Sequence, residues 1–137
     1  MSEQNKQLVT QAYERFKSGD IGALLGLLSD DVAWQSPETE NVPFAGKRSG
    51  REQVAQFFQS LGESQDVLQF EPQELIADGD KVVSLGQYKW RVKATGREYG
   101  GDWAHVFTVR DGKITGFQEY TDTAAAAAAY YQKALGA

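Results

Sequence analysis

Apolar residues recur at helical spacing through the first sixty or so positions and alternate with polar ones after about residue 67, so the chain divides into a helical half and a strand half. Leu8, Val9, Ala12, Tyr13 and Phe16 share one helical face, which predicts a first helix capped by Ser2 and stopped at Gly19. Asp20 caps a second, shorter helix carrying Ile21, Leu24, Leu25, Leu27 and Leu28. Val32-Ala33-Trp34 reads as a short strand ending at Pro37, and residues 38–50 form a polar loop with Pro43, Gly46 and Gly50. Ser49-Gly50-Arg51-Glu52 has the pattern of a capping box, opening a third helix with Val54, Phe57, Phe58 and Leu61 inward and Gly62 at its end. Turns at Asp78-Gly79, Thr95-Gly96 and Asp111-Gly112 then divide the remainder into four antiparallel strands, 67–77, 81–94, 97–110 and 113–121. Six consecutive alanines, Ala124 to Ala129, followed by Tyr130 and Tyr131, predict a C-terminal helix capped by Asp122 or Thr123, whose small face lies close to the sheet. The expected architecture is α+β, a single domain over residues 1–137 with helices on one face of a sheet.

Two-residue turns fix register, and alternation then fixes which side chains share a face. A tight turn at Asp111-Gly112 sets Val109 opposite Ile114, Phe107 opposite Gly116, His105 opposite Gln118 and Trp103 opposite Tyr120. A tight turn at Thr95-Gly96 sets Val92 opposite Tyr99, Tyr88 opposite Trp103 and Gly86 opposite His105. The expected inner face carries Val82, Ser84, Tyr88, Trp90, Tyr99, Trp103, His105, Phe107, Gln118 and Tyr120. The outer face carries Glu119 and other charged residues together with an apolar band of Val83, Leu85, Val106 and Phe117. The facing of the 67–77 strand stays open, because the turn at Asp78-Gly79-Asp80 is two or three residues long and the choice reverses every side chain.

Composition narrows the chemistry. The chain has no cysteine and one histidine, His105, which excludes thiolate zinc sites, cysteine nucleophiles and any two-histidine metal site. A net charge of −5 from 14 Lys+Arg and 19 Asp+Glu has the wrong sign for gripping phosphate backbones, so no nucleic-acid partner is expected. No stretch of about 18 apolar residues and no signal-like segment is visible, so the expectation is a cytoplasmic protein without a membrane partner. Polar groups on the inner face beside Gly86 point to a cavity holding a small hydrophobic ligand. The outer apolar band suits a homodimer.

Several local strings, Lys17-Ser18-Gly19-Asp20-Ile21, Leu28-Ser29-Asp30-Asp31-Val32-Ala33-Trp34, Pro43-Phe44-Ala45-Gly46, Gly50-Arg51-Glu52-Gln53-Val54 and Asp111-Gly112-Lys113-Ile114, resemble the NTF2-like superfamily, and within it SnoaL-like proteins and ketosteroid isomerases. The resemblance spans nearly the whole chain and implies a cone: a curved antiparallel sheet wrapped around N-terminal helices, with a short C-terminal helix and a pocket between them. It also implies chemistry without cofactor or metal. Matched to a ketosteroid isomerase, the carboxylate base falls on Ser36, the oxyanion acid on His105 and the phenol on Ala12, with Tyr13 one position away and about 100° round the helix. Ser36 cannot act as a carboxylate base, so steroid isomerisation is not expected. SnoaL-like cyclases pair a pocket histidine with a carboxylate on the last strand, where this chain offers Gln118, Glu119 and Asp122.

The candidate catalytic residues are therefore His105, Tyr120 and Asp122, with Asp122 also explained as a helix cap. The candidate substrate-binding residues are Tyr13, Trp34, Ser36, Tyr88, Trp90, Trp103, Phe107 and Gln118. Two functions stand side by side: an isomerase, cyclase or dehydratase moving protons on a hydrophobic carbonyl substrate, and a non-catalytic module whose pocket binds an apolar ligand. A dimerisation module with a filled cone is the third.

Overall fold

The computed structural model describes residues 2–132. The chain runs α1 (Ser2–Lys17), α2 (Ile21–Leu25), β1 (Leu28–Ser36), β2 (Gly46–Ser49), α3 (Gly50–Ser64), β3 (Gln65–Asp78), β4 (Lys81–Val92), β5 (Glu98–Arg110), β6 (Lys113–Tyr120) and α4 (Thr123–Tyr130). The strands form one curved, unclosed sheet in the order β2-β1-β6-β5-β4-β3. The β3 to β6 meander is antiparallel as expected, but β1 joins β6 in parallel, so the sheet is mixed. None of the helices among the described residues is long and apolar enough to cross a membrane.

The helix ends obey local chemistry. Gly19, at φ 77°, closes α1: its N–H bonds to the Phe16 carbonyl and that of Asp20 to the Arg15 carbonyl, the paired bonds of a Schellman motif. The Asp20 carboxylate accepts from the Ala23 N–H, and the Asp122 carboxylate accepts from the Ala125 N–H in the same way. At α3 the capping box is replaced by a neighbour: the Ser49 side chain makes no cap bond, and the Ser49 N–H donates instead to Gln53 Oε1 at 2.8 Å. Arg51 is more than surface charge, since its Nε and Nη2 both donate to the Leu28 carbonyl and Nη1 pairs with Asp30.

Two hairpins depart from the expected register, with different consequences. Between β4 and β5 the loop is longer than two residues, and the pairing becomes Trp90 opposite Tyr99, Tyr88 opposite Gly101, Gly86 opposite Trp103 and Ser84 opposite His105. That is a slip of two residues, which leaves every side chain on its expected face. Between β5 and β6 the Asp111-Gly112 turn holds, with both residues at positive φ and Val109 opposite Ile114, but a bulge at Thr115 then pairs Thr108 with Gly116. From there on the register is displaced by one: Phe107 faces Phe117 and His105 faces Glu119. Phe117 and Glu119 therefore point inward, Phe117 being buried, whereas Gln118 moves to the other face and Tyr120 is 53% exposed.

The edge strand β3 turns Gln65, Phe70, Leu75 and Ala77 toward the interior and leaves Val67 and Ile76 exposed. It accommodates Pro72, which an interior strand would not. The core is strongly aromatic, with Tyr13, Trp34, Phe44, Phe57, Tyr88, Trp90, Trp103, Phe107 and Tyr130 all buried.

Candidate functional site

The concave face of the sheet, α1, α3 and α4 enclose a cavity in which the centres of water molecules have about 90 Å³ of room. That is room for a small organic molecule. Its wall is mainly aromatic and aliphatic, and among the described residues it includes no lysine or arginine.

Three strands and one helix converge on the first polar centre. His105 on β5 is 4% exposed, and both of its ring nitrogens are engaged. Nδ1 lies 2.7 Å from the Tyr13 hydroxyl of α1, and Nε2 lies 3.0 Å from Glu119 Oε2 of β6. The imidazole stacks on the Trp103 indole at 4.6 Å and 2°. Trp103 in turn lies over Gly86, where a Cβ would overlap its indole carbons and the Glu71 carbonyl. The expectation that Gly86 leaves room beside His105 is thus corrected: the space belongs to the indole that orients the imidazole. Ser36 on β1 donates a long hydrogen bond of 3.4 Å to the other carboxylate oxygen, Oε1.

These partners assign the tautomer. An ionised carboxylate only accepts, so Nε2 carries the hydrogen, and the Tyr13 hydroxyl donates to the Nδ1 lone pair. The Tyr13 phenol suits that role, since burial first, and then the Glu119 charge, push its pKa well above the ordinary tyrosine range. Tyr13, His105, Glu119 and Ser36 form one chain of hydrogen bonds, and the member open to a ligand is Glu119, whose side chain is 25% exposed while the other three are buried.

A second polar centre lies on another part of the wall. Gln65, 4% exposed at the start of β3, accepts from the Tyr99 hydroxyl at 2.7 Å and the Tyr130 hydroxyl at 2.6 Å through Oε1. Those lengths are typical of O–H···O bonds and assign the oxygen to the tyrosines. Its Nε2 is buried with no partner, as are Trp34 Nε1 and the Tyr88 hydroxyl, and all three residues line the cavity. Burial, with smaller contributions from neighbouring charges, pushes the Tyr88 pKa up to about 12. Tyr99 and Tyr130 are likewise raised chiefly by burial, so all four phenols remain hydrogen-bond donors at neutral pH.

Of the residues predicted from sequence, His105, Tyr13, Trp34, Ser36, Tyr88, Trp90 and Phe107 all line this cavity, and Trp103 backs it through its stack on His105. Gln118, Tyr120 and Asp122 are not brought to it. The bulge turns Gln118 away, Tyr120 lies at the exposed end of β6, and Asp122 caps α4. Glu119 was expected on the outer face and Gln65 lay outside the expected strand. Gly116, an isolated glycine inside a strand, was the available signal for the bulge that brings Glu119 inward. Gln65 had no comparable signal.

A cone of helices and curved sheet around an apolar cavity is a small-ligand-binding fold. Residues 9–117 match the SnoaL-like domain, and the chain belongs to that family. An NTF2-like protein from Burkholderia xenovorans LB400 is 34% identical, with a TM-score of 0.88 over 96% of this chain and 98% of that one. TerC, crystallised with polyporic acid, is 26% identical, with a TM-score of 0.83 over 93% and 98% of the two chains. A protein from Xanthomonas campestris pv. campestris, provisionally named a polyketide cyclase, is 24% identical with a TM-score of 0.79 over 95% and 98%, and bears on the fold alone. None of the curated proteins matches the chain.

Proposed function

We propose that this protein is a cofactor-independent enzyme that moves a proton on a small hydrophobic carbonyl compound, in an isomerisation, cyclisation or dehydration. The observation that carries the reading is the Tyr13–His105–Glu119 chain of hydrogen bonds on the wall of an otherwise apolar cavity. Glu119 acts as the base: its carboxylate takes a proton from the carbon next to the substrate carbonyl, leaving an enolate, and returns it at another carbon or to a leaving hydroxyl. His105 serves as a positioning residue, its Nε2–H holding the carboxylate and its Nδ1 held by Tyr13. The isomerase-like base position at Ser36 is thereby served from the neighbouring strand, since Ser36 donates to the very carboxylate that does the work. The crystallisation of TerC with polyporic acid supports a small organic ligand for this chain.

Deuterium exchange at the α-carbon of 2-tetralone, a bicyclic ketone of suitable bulk, tests this by NMR. The wild-type chain should accelerate exchange over buffer, and Glu119→Gln should remove the acceleration. Binding of 2-tetralone without any acceleration would favour the non-catalytic module instead. Pairing of two copies through the outer sheet face is supported by half-buried Val83, Leu85 and Val106, although Phe117 no longer contributes to that band. Sedimentation velocity of wild type against Val106→Glu tests it, a dimer that dissociates in the variant being expected.

A further inference from the structure

We infer that Gln65 and Tyr88 form a second recognition subsite in the cavity, which donates hydrogen bonds to a neutral carbonyl oxygen of the ligand. Buried polar groups without partners are rare and costly, about 1–3 kcal/mol each, so those that persist in a cavity wall mark where a ligand or water completes them. The Gln65 amide is not free to turn and satisfy itself elsewhere. Tyr99 and Tyr130, from β5 and α4, both donate to its oxygen, which commits the Nε2 hydrogens to the remaining direction. The arrangement is reinforced from outside: Arg97 donates to the Ala128 and Tyr131 carbonyls, Thr95 to that of Ala129 and Asn41 to that of Ala127. Those bonds tie down the end of α4 that carries Tyr130. The Tyr88 ring packs edge-on to Tyr99, with centroids 6.1 Å apart, and its hydroxyl, which has the Thr121 side chain and the Glu119 charge as neighbours, is the second donor that makes no hydrogen bond.

The donor set also chooses the charge of the ligand group. Both donors are uncharged, the wall has no lysine or arginine among the described residues, and the Glu119 carboxylate lines the same cavity. An anionic ligand group would lose hydration and meet a like charge, whereas a carbonyl oxygen loses little and gains two donors. The inference rests on the cavity being a substrate pocket, and it adds that the substrate carries an acceptor oxygen bound by Gln65 and Tyr88.

Affinities of 2-tetralone, tetralin and 2-naphthoate are to be measured by tryptophan quenching for wild type, Gln65→Glu and Tyr88→Phe, each also in a Glu119→Gln background. Gln65→Glu keeps an acceptor for Tyr99 and Tyr130 while replacing the free donor by an acceptor, and near-ultraviolet circular dichroism checks that the fold is kept. Wild type should bind 2-tetralone more tightly than tetralin or 2-naphthoate. Each substitution should weaken 2-tetralone by about 3- to 10-fold and leave tetralin unchanged, as expected for one neutral hydrogen bond. The same pattern should hold in the Glu119→Gln background. Absent binding of 2-tetralone, no preference over tetralin, tighter binding of 2-naphthoate, or variants that keep wild-type affinity for the ketone would each overturn the subsite. Because the Glu119→Gln chain does not depend on turnover, a retained preference without proton exchange rejects only the catalytic reading, and exchange without the preference rejects only the subsite.

Discussion

The two polar centres of the cavity solve the problem of buried polarity in opposite ways. Around His105 the ring nitrogens are both committed, to Tyr13 on one side and Glu119 on the other, and the imidazole is clamped flat against Trp103. Around Gln65 the carbonyl oxygen is doubly bonded into the scaffold while the amide nitrogen is left over. The first chain fixes the orientation of a carboxylate, whereas the second leaves an amide donor without a hydrogen bond. Rigidity is common to both, since each functional group is held by partners on different elements.

The contrast can be broken or sharpened experimentally, beginning with the largest effect. Glu119→Gln should lower proton exchange on 2-tetralone by at least about 100-fold, the usual scale for losing a positioned base, with little change in the urea midpoint. Tyr13→Phe should act in the opposite sense, on stability first: it leaves His105 Nδ1 buried without a donor, at a cost of about 1–3 kcal/mol in urea unfolding. A Tyr13→Phe chain as stable as wild type would mean that the phenol is not the partner that holds the imidazole. Arg97→Ala removes two of the carbonyl contacts at the end of α4, and hydrogen exchange of Ala126 to Tyr130 should quicken while the amides of β5 stay protected. Equal protection of α4 in both chains would show that Tyr130 is positioned without this clamp.

The smallest effect is a pH dependence at high pH. Tyr88 ionises near 10 when exposed and is pushed up to about 12 by burial in the folded chain. The folded state therefore disfavours its phenolate, so this contribution to stability is complete below about pH 10 and is lost as pH climbs toward 12. Tyr88→Phe should flatten the fall in thermal midpoint across that window, and an unchanged slope would assign the fall to Tyr13, Tyr99 or Tyr130 instead.

Much of the fold was legible because its signals are local. The Gly19 stop, the aspartate caps at Asp20 and Asp122, the alanine helix and the Asp111-Gly112 turn depend on side-chain and backbone chemistry within a few residues. The inner placement of Tyr88, Trp90, Trp103, His105 and Phe107 also followed from alternation. It survived a misjudged loop between β4 and β5 because that error was an even number of residues. The bulge at Thr115 is an odd one, and it alone exchanged Gln118 for Glu119 and brought Phe117 from the surface into the stack with Trp34. Tyr13 was one position away from the expected phenol and still reached His105, a distance of 92 residues in sequence that no periodicity could specify.

The sequence by itself determined the order of the helices and of the four-strand meander, most of the apolar faces, the cone-shaped family and the single histidine around which any chemistry had to be built. Only the tertiary structure decided which carboxylate meets that histidine, and that Gln65, Tyr99 and Tyr130, from β3, β5 and α4, share one site. The reason is physical: caps, turns and periodicity are set by neighbours a few residues away, whereas one bulged residue and the docking of a helix are settled by packing across the whole sheet.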